Sequence, residues 1–383
     1  MPHLLKPTEV EQAEGHGDEV LAVCYSPDSH YVVSGGFDGM LRLWNAGDNS
    51  LFQKYPVSNK AVTACAVSPD GKYLLSGSLD GMLAQWDAAS GAAANGIRGE
   101  PQTTMFLAHT RPISAIEFGS DSLTIVTASW DSHLTLWRPL SEGRTMSGHG
   151  DIVTGCRITP DGRFLVSWSY DHTARLWDLS MTRQIVTFEG HQDRILTGDV
   201  SPDGRWAVTG SRDGDVILWD IVRHEEQGGI QLEDQVAATL FLRDGKHLVV
   251  AQAGGAVGLF SVPDLELLQA IEIDQSVHCG ALSPAGSQLA LGCGDGIVRI
   301  VPIEEFDAQP LLIRVSQSSK RMSSGLQKLF GRSREVTTYI GTCPACQALF
   351  EIPAEQDSSI EQIPCPGCKR QLRIAAVTQP LPD

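Results

Sequence analysis

Two kinds of residue set in this 383-residue chain have the types and spacing to do chemistry. The first is a pair of C-P-x-C turns, Cys343-Pro344-Ala345-Cys346 and Cys365-Pro366-Gly367-Cys368, with 18 residues between them. Two chelating turns bring four thiolates to the corners of a tetrahedron at sulfur–metal distances of about 2.3 Å, which suits Zn²⁺ and leaves no coordination position for a substrate. A structural zinc site is therefore expected. Iron in the same cage and a redox pair in each CxxC are the competing readings. The second kind combines Ser or Thr, His and Asp, the types of a nucleophile, a base and an orienting acid. Its spacing argues against catalysis: a histidine precedes an aspartate by 22 residues, and that aspartate precedes a tryptophan by 6, at His16, Asp38, Trp44; His109, Asp131, Trp137; His149, Asp171, Trp177; and His191, Asp213, Trp219. A catalytic set would occur once. Glycine stretches such as Gly35-Gly36-Phe37-Asp38-Gly39 read as turns, since no long helix follows to make a phosphate loop.

The elements that must position these residues are legible in Gly190 to Asp220, GHQDRILTGDVSPDGRWAVTGSRDGDVILWD. Two apolar runs flank the turn Ser201-Pro202-Asp203-Gly204; a tight Asp213-Gly214 turn and a third run ending in Trp219-Asp220 follow. That predicts three short strands per unit. Matching turns occur at Ser26-Pro27-Asp28, Ser68-Pro69-Asp70-Gly71 and Thr159-Pro160-Asp161-Gly162. The closing residue falls at Trp44, Trp86, Trp137, Trp177, Trp219, Phe260 and Val301, so seven units are counted. An Ala/Gly-rich insertion from Ser90 to His109 lengthens one spacing and is expected in the loop between units two and three.

A period of about 40 to 45 residues, with Gly-His near the start and Trp-Asp at the end, resembles the WD40 repeat over residues 1–315. The resemblance implies an all-β fold, a propeller of seven four-stranded blades. It also implies a buried tetrad of His, Ser or Thr, Asp and Trp in each full repeat: His16, Ser34, Asp38, Trp44; His109, Thr127, Asp131, Trp137; His149, Ser167, Asp171, Trp177; and His191, Thr209, Asp213, Trp219. Unit two departs from this, with Ser58 in place of histidine before Ser76, Asp80 and Trp86. Units six and seven are degenerate: Gly254 and Phe260 replace Asp and Trp in the sixth, and Val301 follows Asp295 in the seventh. In that family the residue before each turn aspartate crowds the narrow face around the channel, so Phe37, Leu79, Trp130, Tyr170 and Arg212 are the candidate partner-binding residues. Trp168 stands where the other units have Gly35, Gly77, Ala128 and Gly210; it is expected to fill space between blades or to point into the channel. The ring should close through His3 to Val10, with Pro310 to Val315 as the alternative.

Composition bounds the rest. A hydrophobic content of 42% with 38 glycines suits many short strands, no apolar run approaches the roughly 20 residues that cross a bilayer, and the N-terminus lacks a signal-peptide pattern. A cytoplasmic, monomeric propeller is expected. Cys24, Cys65, Cys156, Cys279 and Cys293 lie in apolar runs and read as core thiols. The net charge of −17 is uneven: residues 1–315 carry 40 acidic and 21 basic side chains, residues 316–383 carry 6 and 8. The body should therefore repel nucleic acid, and contact with it is possible only through residues 316–383.

Residues 316–337 are Ser-rich and basic and read as a linker, with Leu326, Leu329 and Phe330 spaced for one face of a short helix. Residues 338–376 follow as a four-cysteine module that resembles a zinc ribbon, although Gln347 and Lys369 stand where that family often has glycine; residues 377–383 are a tail. So short a module cannot build an adequate core, and the metal supplies stability. With no unique catalytic set, the expectation is a non-catalytic protein-interaction scaffold whose narrow face docks a protein or peptide, with a tethered zinc module. The alternative is a nucleic-acid-binding adaptor acting through the linker and ribbon.

Overall fold

The computed structural model describes residues 15–88, 105–138 and 142–303, and beyond them the backbone of strands at 311–322, 334–342, 349–353, 362–364 and 371–378. The chain divides into two compact units, Met1–Leu265 with Glu272–Glu304, and Glu266–Ile271 with Glu305–Asp383.

In the first unit each repeat becomes an antiparallel sheet, or blade. The first strands are Val20–Tyr25, Val62–Val67, Ile113–Phe118, Val153–Ile158, Ile195–Val200, Val236–Phe241 and Val277–Leu282. They contact one another in chain order, and the last contacts the first, so seven blades form a closed ring. Blades one to five have four strands each. Besides the three runs expected from the repeat, the fourth strands are Leu51–Pro56, Met105–Leu107, Arg144–Ser147, Arg183–Glu189 and Glu225–Gln231. Met105–Leu107 pairs with Met82–Asp87, so the long insertion ends inside the second blade rather than between two finished units; residues 89–104 lie outside the described residues.

The same packing device recurs around the ring. Each first strand carries a bulge or register shift just after its opening β-branched residue, and that residue is fully buried: Val20, Val62, Ile113, Val153, Ile195, Val236 and Val277 are at most 1% exposed. The bulge turns it onto the second strand of the preceding blade. Space there is set by glycine, since a Cβ on Gly35, Gly77, Gly210 or Gly292 would collide with Val62, Ile113, Val236 or Val20, respectively. Blade four breaks the rule with Trp168, which is buried and lies over Gly155 of its own blade and Gly198 of the next. Those two glycines leave the room the indole takes, so Trp168 fills volume between blades. The five cysteines expected in the core are free and buried or half-buried.

Closure joins the first blade to the seventh: the His16 N–H donates to the Gly296 carbonyl at 3.1 Å. Among the described residues the seventh blade has three strands, Val277–Leu282, Gln288–Cys293 and Val298–Pro302. His3 to Val10 lie outside the described residues. The alternative closing segment is used elsewhere, since Leu311 to Val315 pair in parallel with Leu372 to Val377.

The second unit contains one five-stranded sheet in the order Leu349–Pro353, Arg334–Thr342, Leu311–Met322, Gln371–Thr378, Gln362–Pro364. Both ends of the stretch read as a linker are strand residues here, Ser316 to Met322 pairing with Arg334 to Ile340. Leu326, Leu329 and Phe330 lie outside the described residues, as do Cys343, Cys346, Cys365 and Cys368. The strands that flank the cysteine turns are paired at their facing ends, Thr342 with Leu349 and Pro364 with Gln371.

Candidate functional site

Three of the expected tetrads assemble as read. In blade one, His16 sits 2.9 Å from Asp38 through Nδ1 and 2.7 Å from the Ser34 hydroxyl through Nε2, and the Trp44 indole N–H donates to the same hydroxyl at 2.7 Å. Blade three repeats this with His109, Asp131, Thr127 and Trp137 at 3.0, 2.7 and 2.9 Å. Blade four does so with His149, Asp171, Ser167 and Trp177 at 2.8, 2.7 and 2.8 Å. An imidazole protonated on Nδ1 satisfies the four side chains of each tetrad: the indole donates to the hydroxyl, the hydroxyl to Nε2, and Nδ1–H to the carboxylate. This is the polarity of an activated serine, but Ser34, Thr127 and Ser167 are completely buried. No substrate can reach the oxygen.

The fourth set departs from expectation. His191 Nε2 reaches Thr209 at 2.7 Å and Trp219 donates to Thr209 at 2.8 Å, yet the carboxylate of Asp213 accepts from Ser211. The Nδ1 atom of His191 is buried with no hydrogen-bond partner, and the nearest acid is Asp215 at 3.4 Å. Asp215 occupies a position that is Met40, His133 and Thr173 in the complete sets, so a competing carboxylate draws on the ring while Ser211 takes Asp213. Blade two, which lacks the histidine, behaves alike: Ser78 donates to Asp80, and only the Trp86–Ser76 bond remains, at 3.1 Å.

Electrostatics agree with a framework role. Burial pushes His16 and His149 below the ordinary imidazole value, against the pull of Asp38 and Asp171. Burial acts to raise the aspartates, but hydrogen bonds from His16 and Arg42 bring Asp38 down to about 2, and those from His109 and backbone amides bring Asp131 to about 2. Asp171 is also held well below the carboxylate range, by His149 and Thr173 against burial. The arginines were not anticipated: Arg42 reaches Asp38 at 2.6 Å, Arg175 reaches Asp171 at 3.6 Å, and Arg299 grips Asp295 with two nitrogens at 2.9 and 2.7 Å. Their signal is an arginine four residues after the turn aspartate. A second unanticipated group is the pairing of Arg157 with Glu117 at 2.7 Å and Asp199 at 3.0 Å, which ties the first strands of blades three, four and five.

The five candidate partner-binding residues occupy one repeated position. The N–H of each donates to a carbonyl just before its blade's first strand: Phe37 to Glu19, Leu79 to Ala61, Trp130 to Pro112, Tyr170 to Ile152 and Arg212 to Arg194, at 2.9 to 3.0 Å. Ala253 and Gly294 make the same bond in blades six and seven, so large side chains are confined to blades one to five. Phe37 and Trp130 are 52% and 42% exposed, a large area of apolar surface left in water. Arg194 lies 4.8 Å over the Tyr170 ring, a cation–π contact that fixes the ring in place. Leu79 is half-buried and Arg212 exposed. No helix of the described residues is long and apolar enough to cross a membrane.

Comparison with known proteins agrees with this geometry. The chain is 30% identical over 175 residues to the nuclear distribution protein PAC1-2 of Uncinocarpus reesii (strain UAMH 1704), covering 45% of this chain and 31% of that protein. It is 28% identical over 174 residues to a guanine nucleotide-binding protein subunit beta of Solanum tuberosum, covering 43% and 46%. With the small ribosomal subunit protein RACK1 of Caenorhabditis elegans it shares 35% over 81 residues, covering 18% and 25%. The chain thus spans between about a quarter and a half of the length of these curated relatives. The model of the WD domain, G-beta repeat, matches residues 8–45, 50–87, 99–138, 141–178 and 182–220, which together make up half of the chain. Blades six and seven lie beyond those segments and complete the same ring, and the chain belongs to the WD40 repeat family.

Proposed function

We propose that this chain is a non-catalytic interaction scaffold that docks a protein or peptide on the ring of residues before the turn aspartates, Phe37, Leu79, Trp130, Tyr170 and Arg212. One observation carries the reading: the residues with catalytic types are sealed in repeated tetrads, while Phe37 and Trp130, at equivalent positions of two blades, stand exposed. Aromatic and arginine side chains of this kind are the usual anchors of protein interfaces. The names of two similar proteins, a subunit of a guanine nucleotide-binding protein and a small ribosomal subunit protein, describe components of assemblies, which suits a scaffold.

The second unit adds a structural zinc site formed by Cys343, Cys346, Cys365 and Cys368. Its support is the strand pairing around them: the cysteine turns connect Thr342 to Leu349 and Pro364 to Gln371, ends that are paired in one sheet. By register with Leu311–Met322, both pairs of ends fall at the Leu311 end of that sheet. Zinc there would contribute folding free energy and no chemistry on a substrate. Two contacts on one chain raise affinity through effective concentration. Affinity capture with the intact chain and with a chain ending at residue 304 tests the division: the same partners, held more weakly without the second unit, are expected. Loss of every partner would place docking in the second unit. The excess of basic over acidic residues in 316–383 favours nucleic acid as a second ligand class; that reading requires binding that weakens steeply with salt and is lost with the second unit.

A further inference from the structure

Blade three contains an unfilled position that other blades of the same chain fill with their own arginine. In blades one, four and seven the residue four positions after the turn aspartate is Arg42, Arg175 or Arg299, and its guanidinium lies against Asp38, Asp171 or Asp295. In blade three that position is Thr135, too short to reach the carboxylate. Asp131 is nevertheless held as in the complete blades, by His109 Nδ1 at 3.0 Å, the Thr110 N–H at 3.2 Å and the His133 N–H at 3.1 Å. Beside it opens a cavity of about 340 Å³ lined by Ala108, His109, Asp131, His133, Thr135 and Thr145, among others.

Among the described residues no other blade combines these features. Blade two has Ala84 at the position, but Asp80 accepts from Ser78 and no histidine is present. Blade five fills the space with Ile217, whose methyl lies against Gly190. Blade six has Gly254 in place of the aspartate and no tetrad histidine, and the acid beside it, Asp234, accepts the Gly254 N–H at 2.7 Å. Among the described residues the only side chains in ion-pair range of Asp131 are His109 and His133. Its second carboxylate oxygen, Oδ1, accepts the His133 N–H at 3.1 Å and has the half-buried His133 ring 3.7 Å away. Nor do these side chains converge as a metal site, because no group of three or more His, Cys, Asp or Glu among the described residues could hold an ion.

We propose that this cavity binds the guanidinium of an arginine on a partner protein, taking from outside the cation that blades one, four and seven supply from within. Charge complementarity selects the ligand: a half-buried carboxylate prefers a cation, and a planar guanidinium can donate at once to Asp131 and to the hydroxyls of Thr135 and Thr145, residues paired across neighbouring strands that both line the cavity. The cavity and its ligand are independent of the ring formed by Phe37, Leu79, Trp130, Tyr170 and Arg212.

The test uses the full chain and N-acetyl-arginine amide, followed by the imidazole NMR signals. Saturable shifts of His109 and His133, leaving His16 and His149 unmoved, are expected. The uncharged N-acetyl-citrulline amide should bind about tenfold more weakly, the margin between charge-assisted and neutral hydrogen bonds. Thr135→Arg should fill the cavity from within and abolish the response while raising the denaturant midpoint. Equal response to the two amides, shifts spread evenly over all four histidines, or binding retained in folded Thr135→Arg would overturn the proposal. The comparison of amides on the wild-type chain decides the matter even if the variant does not fold.

Discussion

Ser167 lies completely buried under Trp177, and its bond to His149, which would make it a nucleophile in a cleft, here closes a hydrogen-bond chain from indole to carboxylate. Removing the last member should leave donors unsatisfied: Asp171→Ala is expected to cost about 1–3 kcal/mol, read as a lower denaturant midpoint at unchanged slope. Asp213→Ala should cost less than Asp171→Ala, because Asp213 is exposed and is not bonded to His191, and the Ser211 hydroxyl keeps the Asp215 carbonyl as a second acceptor at 3.2 Å. The spacing of 22 and 6 residues announced both aspartates equally. What it could not convey was the local competition from Ser211 and Asp215, which depends on side-chain directions in one hairpin. The same chain of bonds sets a pH response. His16 and His149 titrate lower in the folded chain than unfolded, so the folded state binds fewer protons and stability falls as pH drops below about 6.5. Asp38 and Asp131, held at about 2, contribute stability that is present above about pH 4 and lost as pH falls towards 2. Acid unfolding monitored at fixed urea should show destabilisation beginning near the histidine range. A midpoint flat from about pH 7 to about pH 5 would contradict this.

At the scale of the strand, the first three strands of the better-preserved units are legible because their apolar runs are bounded by turns of the Ser-Pro-Asp-Gly and Asp-Gly kind. The fourth strands are not, and Glu225–Gln231 shows why: its residues EEQGGIQ are half-buried or exposed throughout, so no apolar alternation betrays a strand that is held by backbone pairing to Asp215–Asp220. Degenerate blades six and seven were visible through the converse, retaining buried alternation after losing the Trp-Asp ending. Val277 and Val236 still occupy the bulge position and are buried. Trp168 could be singled out from sequence by its bulk, but its partners could not, since Gly155 and Gly198 are only neighbours once blades four and five stand side by side. Trp168→Ala should open a cavity between those blades and cost about 3–5 kcal/mol, measured by chemical denaturation. A change no larger than that of an exposed residue would mean the indole is not wedged between them.

For the whole molecule, closure is the feature that sequence left open. The ring is closed by His16 and Val20 meeting Gly296 and Gly292, contacts of the kind that join other neighbouring blades, made here between the first and last units. The second unit is expected to bind one equivalent of zinc per chain. Metal analysis of the purified protein should find it, and paired Cys343→Ser, Cys365→Ser replacement should abolish it while the propeller's near-ultraviolet tryptophan signal is retained. The ring of residues before the turn aspartates, and not the set of triad-like residues, is the part of the molecule proposed to bind a partner. Partner capture by the full chain carrying Trp130→Ala and Tyr170→Ala tests that assignment most directly, beside a control, Met181→Ala, that removes another exposed apolar side chain. Loss of partners from the double variant with retention by the control is the predicted result; wild-type recovery by the double variant would contradict it.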